Sequence, residues 1–308
     1  MTTLRRALFA LLIVLSSSGV LAQTLALTFD DGLNPLKEPA APSWNRQILE
    51  TLHDAGVTSM VFPALVRTGQ AQGLDLIRDW ARAGHGIGNH TSQHRSLGSP
   101  QVPLADFISD VKEADAVLSR IPGWTKMLRF PYLKEGDTLA KRDGMRLWMQ
   151  AAGYRAAPVS IDASDWYYNQ AYAAWLDEGN ADKANRVKAA YIEHLLDRAA
   201  YYDGLARQVL GRSPKHVMLL HTSRINAAAL GELITAFRVR GWSFIAANTA
   251  FDDPIYTVQI DTLPAGESVV WASAKAVQVP SLRYPAEDSV YEEPKLRALG
   301  LVPTRMLE

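Results

Sequence analysis

The run Leu25-Ala26-Leu27-Thr28-Phe29-Asp30-Asp31-Gly32 decides the fold. Residues 25–29 carry no charge and have the length of a buried strand, and they lead straight into two carboxylates and a glycine. Side chains alternate across a strand, so two adjacent acids at its end point in different directions. One of them can bind a metal while the other stays free as a base. Taken alone, the same residues also read as a strand followed by an Asp-Gly turn, a common hairpin signal.

Working outward, a helical pattern over 44–55 leads to a short buried strand at 57–62. A second helix over 74–83 stops at Gly84, and Gly86 to Asn89 is a short strand. The spacing predicts a helix over 104–118, a strand at 127–130 and a helix over 137–152. A strong apolar strand follows at 216–220, then a helix over 227–239 and a last strand at 242–247. Strands and helices alternate, so the expected core is a parallel α/β sheet or barrel with its site at the carboxyl ends of the strands. Residues 171–209 break that rhythm as one long helical excursion, and 250–308 form a proline-punctuated tail with helices near 268–276 and 292–299. The tail is expected to pack on the barrel, because its Val, Trp and Leu side chains need cover.

The composition narrows the chemistry. Among 308 residues, 32 Lys and Arg balance 32 Asp and Glu, which gives no footprint for nucleic acid and no polybasic membrane patch. There is no cysteine, so disulfides, thiolate nucleophiles and Cys-based zinc sites are excluded. Any metal must be held by His, Asp, Glu or carbonyl oxygen. At the N-terminus, Arg5 and Arg6 precede an apolar run over 7–15, and Val20-Leu21-Ala22 has the small residues that a signal peptidase accepts. The expectation is a signal peptide over 1–22, cleaved after Ala22, and a mature chain that is periplasmic or secreted. An uncleaved anchor is the alternative, but 7–22 is short for a span and is interrupted by three serines and a glycine. With no cysteine at the cut, a lipoprotein is excluded, and no membrane span is expected after cleavage.

Four further motifs carry polar chemistry, three of them at or just after predicted strands. His90-Thr91-Ser92-Gln93-His94 would, if helical, set two imidazoles on one face at i and i+4, able to grip one ion, with Asn89 or Thr91 shaping the turn. Without a third ligand the pair is equally two surface histidines. Arg129-Phe130-Pro131-Tyr132 puts an arginine at a strand end, where it can hold a carboxylate. Asp162-Ala163-Ser164-Asp165-Trp166 and Leu219-Leu220-His221-Thr222 supply an acid–base histidine and an aspartate able to fix its tautomer. His53, His85, His194 and His216 lie outside these motifs and read as ordinary satisfied histidines.

Taken in order, the five motifs resemble the polysaccharide deacetylase family, carbohydrate esterase family four with the NodB homology domain. The resemblance runs from about 25 to 247 and includes the lead-in Gly84-His85-Gly86-Ile87-Gly88-Asn89. It implies a distorted (β/α) barrel of about seven parallel strands over 23–249, here with a helical insertion and a C-terminal extension over 250–308. It implies Asp31, His90 and His94 as ligands of one divalent ion, most naturally zinc, with cobalt, nickel or manganese as alternatives. It also implies Asp30 as catalytic base with Arg129 as partner, and His221 as general acid oriented by Asp165. Tyr132 would offer its backbone N–H to the oxyanion, and Trp166 and Leu219 would line the acetyl pocket.

The chemistry is coherent on its own terms. Two His and one Asp leave open positions on a divalent ion, which lowers the pKa of water and polarises a carbonyl. One neighbouring carboxylate takes a proton and a group on the far side returns one to an amine. The expected activity is removal of acetyl groups, N-acetyl favoured, from an extracytoplasmic glycan or oligosaccharide. A small non-sugar amide as substrate, or a silent glycan-binding protein on the same fold, are the rival readings. The chain departs from the family pattern in its long gap between the fourth and fifth motifs, its tail, and Ser59-Met60-Val61-Phe62-Pro63-Ala64 on the second strand. These departures bear on the substrate more than on the chemistry.

Overall fold

The computed structural model describes residues 23–285 and 289–306. The proposed signal peptide lies outside them. Among the described residues nine strands form: β1 (Thr24–Asp31), β2 (Met60–Pro63), β3 (Gly86–Asn89), β4 (Trp124–Leu128), β5 (Lys134–Gly136), β6 (Arg155–Ala156), β7 (Lys215–His221), β8 (Ser243–Phe244) and β9 (Ala265–Gly266). All but β5 and β9 belong to one sheet, in the order β6-β4-β3-β2-β1-β7 with β8 also on β1, and every pairing in it is parallel.

The sheet curls until its ends nearly meet. Beyond β6, Ala157 N–H still donates to Leu128 O of β4 at 2.8 Å, and four residues later Ile161 bridges Met218 of β7. One short segment thus touches both ends of the sheet, which makes it the distorted barrel expected. β1 has neighbours along both edges, and Leu25 to Asp30 are all buried. A strand covered on both faces reads as a continuous apolar run, which is why the opening stretch was so legible.

Helices wrap the outside: α1 (Ala41–Asp54), α2 (Leu65–Thr68), α3 (Gln70–Arg82), α4 (Leu104–Leu118), α5 (Leu139–Ala152), α6 (Asp165–Asp177), α7 (Ala181–Leu210), α8 (Arg224–Val239), α9 (Ala247–Ala250), α10 (Val269–Ala276) and α11 (Glu292–Ala298). In α1 the buried residues Ala41, Asn45, Ile48 and Leu52 form one stripe. Trp80 of α3 lies 5.1 Å from the Phe29 ring and donates through Nε1 to Asn45 Oδ1, so one indole ties β1, α1 and α3 together. Burying a side chain of that size contributes about 1.5–3 kcal/mol.

Two sequence expectations change. The excursion over 171–209 is two helices, α6 and α7, split at Gly179 (φ 73°) and capped by Asn180, whose side chain accepts from Lys183 N–H. The left-handed glycine and the cap outweigh the helix-forming alanines on either side. The last strand, expected over 242–247, is only β8, because Ala247 already starts α9 and β2 occupies the upper part of the same edge of β1. The tail packs on the insertion and the barrel. Its α10 lies against α7, and Trp175 Nε1 of α6 donates to Leu301 O. Among the described residues no helix is long and apolar enough to cross a membrane.

Candidate active site

The carboxyl ends of β1, β3, β4 and β7 face one cavity of about 470 Å³. Asp30, Asp31, His90, His94, Tyr132, Trp166, Leu219 and His221 all line it. The other two expected residues, Arg129 and Asp165, are fully buried behind its wall and touch Asp30 and His221. All ten therefore meet in one place, although 191 positions separate Asp30 from His221. Those two are register partners on adjacent strands.

Strand alternation would send Asp31 away from Asp30. The strand ends there instead, with Asp31 at φ 78°, and both carboxylates reach the same cavity. Left-handed backbone recurs around the site at Thr91 (68°), His94 (53°), Tyr132 (57°), Leu133 (56°) and Ser164 (50°). A non-glycine residue in that region costs of the order of 1–3 kcal/mol, so its concentration in these loops marks backbone held in shape by its surroundings.

A helix at 90–94, the condition under which the i and i+4 spacing would set both imidazoles on one face, does not form. Asn89 Oδ1 accepts from Thr91 N–H at 2.8 Å, and Thr91 Oγ1 accepts from His94 N–H at 3.0 Å. Two nested side-chain turns take the backbone donors that a helix would need. They still bring the imidazoles together, with ring centroids 4.8 Å apart.

Asp31, His90 and His94 each offer one ligand atom within 4.8 Å of the others, and this is the group of three or more such residues found among the described residues. His90 Nδ1 lies 2.8 Å from Arg129 O, an acceptor only, so Nδ1 carries the hydrogen and the Nε2 lone pair faces the cluster. His90 Nε2 is 3.9 Å and His94 Nε2 3.2 Å from Asp31 Oδ1. That oxygen is buried with no hydrogen-bond partner, an orphan that a cation would satisfy. Burial holds both histidines below the usual imidazole range, His90 far below it, so they stay in the neutral form that binds metal. The donor set thus fits a divalent ion with nitrogen and oxygen ligands.

The two carboxylates are told apart by their partners. Both Asp30 oxygens are taken by Arg129 Nη1, at 2.9 and 3.1 Å, while Nη2 holds Thr28 Oγ1 at 3.1 Å and Nε holds Ala157 O. The guanidinium lies over the Phe62 ring at 4.5 Å. Burial pushes the Asp30 carboxyl up, Arg129 and His221 pull it down, Asp31 pushes it up again, and it settles at about 6.

Across the cavity, His221 Nδ1 donates to Asp165 Oδ1 at 2.6 Å. Asp165 Oδ2 accepts from His221 N–H at 2.6 Å and from Asn226 Nδ2 at 2.8 Å. Burial opposes the imidazolium, but the Asp165 carboxylate and its hydrogen bond outweigh it, with help from Asp31 and Asp30, and raise His221 to about 10.

Sequence reasoning missed Asn226 and Tyr191. Tyr191 of α7 donates to Asn226 Oδ1, so the insertion helps to orient the Asp165 carboxylate. Ser223 and Asn226 are legible in the sequence only as a helix start, and Ser223 does cap α8. Arg67 and Asp162 also line the cavity, and burial raises the Asp162 carboxyl to about 6. Of the four spare histidines, His85, His194 and His216 are buried and hydrogen-bonded, whereas His53 is exposed beside Asp54. His216 stands between Ser160 and Asp203 in a Ser–His–Asp line, but Ser160 and His216 are wholly buried at the foot of β7, so the line is part of the core.

Residues 19–155 match the polysaccharide deacetylase family. That matched stretch covers 137 of the 308 residues. It holds Asp30, Asp31, His90, His94, Arg129 and Tyr132 and ends before Asp165 and His221. Over 143 residues the chain is 27% identical to a peptidoglycan-N-acetylglucosamine deacetylase of Bacillus cereus, a match that spans 46% of each chain. The fold is similar to that of the chitin deacetylase of Colletotrichum lindemuthianum, with TM-score 0.53, 21% identity, and 75% of this chain and 88% of that one covered. It is also similar to a polysaccharide deacetylase of Bacillus cereus, with TM-score 0.52, 20% identity, and 73% and 91% covered. At such identities the likeness speaks for the fold, and it extends well past residue 155.

Proposed function

We propose that the protein is an exported, metal-dependent hydrolase that removes acetyl groups, N-acetyl in preference, from an extracytoplasmic glycan or oligosaccharide. The observation that carries this reading is the set of three arrays on one cavity: Asp31 with His90 and His94, Asp30 held by Arg129, and His221 held by Asp165. Such a cavity has a place for a polarising ion, a base and an acid. The relative named for peptidoglycan supports a glycan as substrate.

The ion would be held by Asp31 Oδ1, His90 Nε2 and His94 Nε2, and zinc suits two imidazoles and one carboxylate. When bound, it would polarise the acetyl carbonyl and acidify a neighbouring water. Asp30 takes the proton of the attacking water. Its carboxylate lies 3.8 Å from His90 Nε2, close enough to serve the same volume, and Arg129 fixes both its oxygens. A base with a pKa of about 6 is ionised at neutral pH and still basic enough to accept a proton. His221 donates from Nε2 to the departing nitrogen, because its Nδ1 is occupied by Asp165. An amine cannot leave as its anion, so the raised pKa of His221 suits an amide. The Tyr132 backbone N–H meets the negative charge that grows on the carbonyl oxygen. Leu219 and Trp166 close around the methyl group.

The test is acetate release over a panel of N- and O-acetylated glycans, with wild type compared against chelated and zinc-reloaded protein. Bound metal with no acetate from any glycan would leave a binding protein, and release only from small amides would move the substrate away from sugars. Export is tested by N-terminal sequencing of protein recovered from the periplasm or medium, with Gln23 expected as the first residue.

A further inference from the structure

The C-terminal extension touches the loops of the site at two points, neither of which lines the cavity. At the first, β9 pairs antiparallel with β5, Gly266 opposite Lys134 and Ala265 opposite Gly136. β5 begins immediately after the turn at Tyr132 and Leu133. Glu267 N–H donates to Leu133 O at 3.0 Å, and the Glu267 carboxylate pairs with the Lys134 ammonium. Gly266, at φ 121°, comes so close that a Cβ there would lie 1.9 Å from Leu133 O. The extension thus presses backbone on backbone against a turn whose two central residues are both left-handed.

At the second point, Glu292 opens α11 and is 1% exposed. Its Oε1 accepts from Ser164 Oγ at 2.9 Å. Ser164, left-handed at φ 50°, immediately precedes Asp165. Ser268, at the start of α10, also donates to Ser160 O at 2.8 Å, on the segment that leads into this turn.

A left-handed turn relaxes when its partners go, and the peptide beside it rotates. At Leu133 that movement re-aims the Tyr132 amide, and at Ser164 it re-aims the Asp165 carboxylate. We propose that the C-terminal extension is a positioning element of the catalytic site, with Gly266 and Glu267 fixing the Tyr132 turn and Glu292 fixing the Asp165 turn. The proposal rests on the roles given to Tyr132 and Asp165 under the proposed function.

Full-length Gly266→Ala, Glu267→Gln, Glu292→Leu and Glu292→Gln are compared with wild type, with Arg297→Ala on the exposed face of α11 as the control. Hydrogen exchange is read on peptides covering 130–136 and 160–168, together with metal content, kcat and KM. Gly266→Ala and Glu267→Gln should speed exchange in 130–136 alone, and Glu292→Leu in 160–168 alone. Misplacement by about an ångström should lower kcat on the order of a hundred-fold with KM and metal content little changed. Glu292→Gln keeps an acceptor for Ser164 and should restore both readouts, and Arg297→Ala should change neither. Faster exchange across the whole chain, or wild-type exchange and kcat in Gly266→Ala and Glu292→Leu, overturns the proposal. Local exchange changes in the variants, together with a wild type that releases no acetate, support the positioning contacts and refute the deacetylase reading instead.

Discussion

Asp165→Asn tests the acid half of the site most sharply. Asp165 Oδ2 accepts two hydrogen bonds, from His221 N–H and Asn226 Nδ2. In the asparagine variant those donors claim the amide oxygen, so the NH₂ group is turned toward His221 Nδ1. A carboxylate that accepted there becomes a donor facing a donor. The neutral ring can adapt by moving its hydrogen to Nε2, but the imidazolium cannot, since both its nitrogens carry hydrogen. The wild-type rise from 6.5 to about 10 corresponds to roughly 5 kcal/mol favouring the imidazolium. Loss of most of it leaves burial to dominate, and His221 should titrate at about 7 or lower. The assay is NMR of labelled histidine in chelated protein, which removes the influence of a cation, followed by kinetics of the zinc-loaded variant. Metal content should hold, and amide turnover at neutral pH should fall on the order of a hundred- to ten-thousand-fold, with a smaller loss on an aryl acetate. The sign for stability follows. A raised pKa contributes stability fully below 6.5 and loses it as pH climbs through about 10, so the difference between wild type and variant should close at high pH. A His221 titration unchanged by the substitution, or near-normal amide turnover, refutes the reasoning.

Other substitutions separate the remaining parts. His90→Ala or His94→Ala should lose bound metal in elemental analysis, whereas Asp30→Asn should keep it and lose turnover; equal metal content in all three would sink the ligand set. Arg129→Met strands a buried carboxylate and should cost about 3–5 kcal/mol in denaturant unfolding when Asp30 is ionised. Because protonating Asp30 relieves that cost, the loss should be larger at pH 8 than at pH 5, and equal losses would argue against the pair. Gly88→Ala would place a Cβ 2.3 Å from the Phe62 ring that lies beneath Arg129. Overpacking there should cost about 1–3 kcal/mol and lower the melting temperature.

Much of this was legible because β1, β7 and the helices announce themselves by period and burial. Leu25 to Phe29 and 216–220 are covered on both faces, so their composition alone marks them as central strands. The ligand residues were legible as motifs, but their local geometry was not. The i and i+4 spacing of His90 and His94 suits a helix, and nothing in it reveals that Asn89 and Thr91 divert the backbone. β5, β6 and β9 have two or three residues each, too few for a period to register. Asn226, Tyr191 and Glu292 act through partners far along the chain, and such pairings leave no mark on the sequence around each residue.

Among the described strands β1 is made first, and its longest neighbour is nearly the last. β1 pairs with β7 along seven residues, across a loop of almost two hundred positions. A growing chain shorter than about residue 221 therefore carries one full edge of its longest described strand without a mate, the condition under which strands pair with the wrong chain. Contacts at that separation also pay the largest closure entropy and form late. Synthesis should thus pass through a long window in which the chain needs a holdase or rapid completion, and the protein should refold slowly from denaturant, its yield falling steeply with concentration.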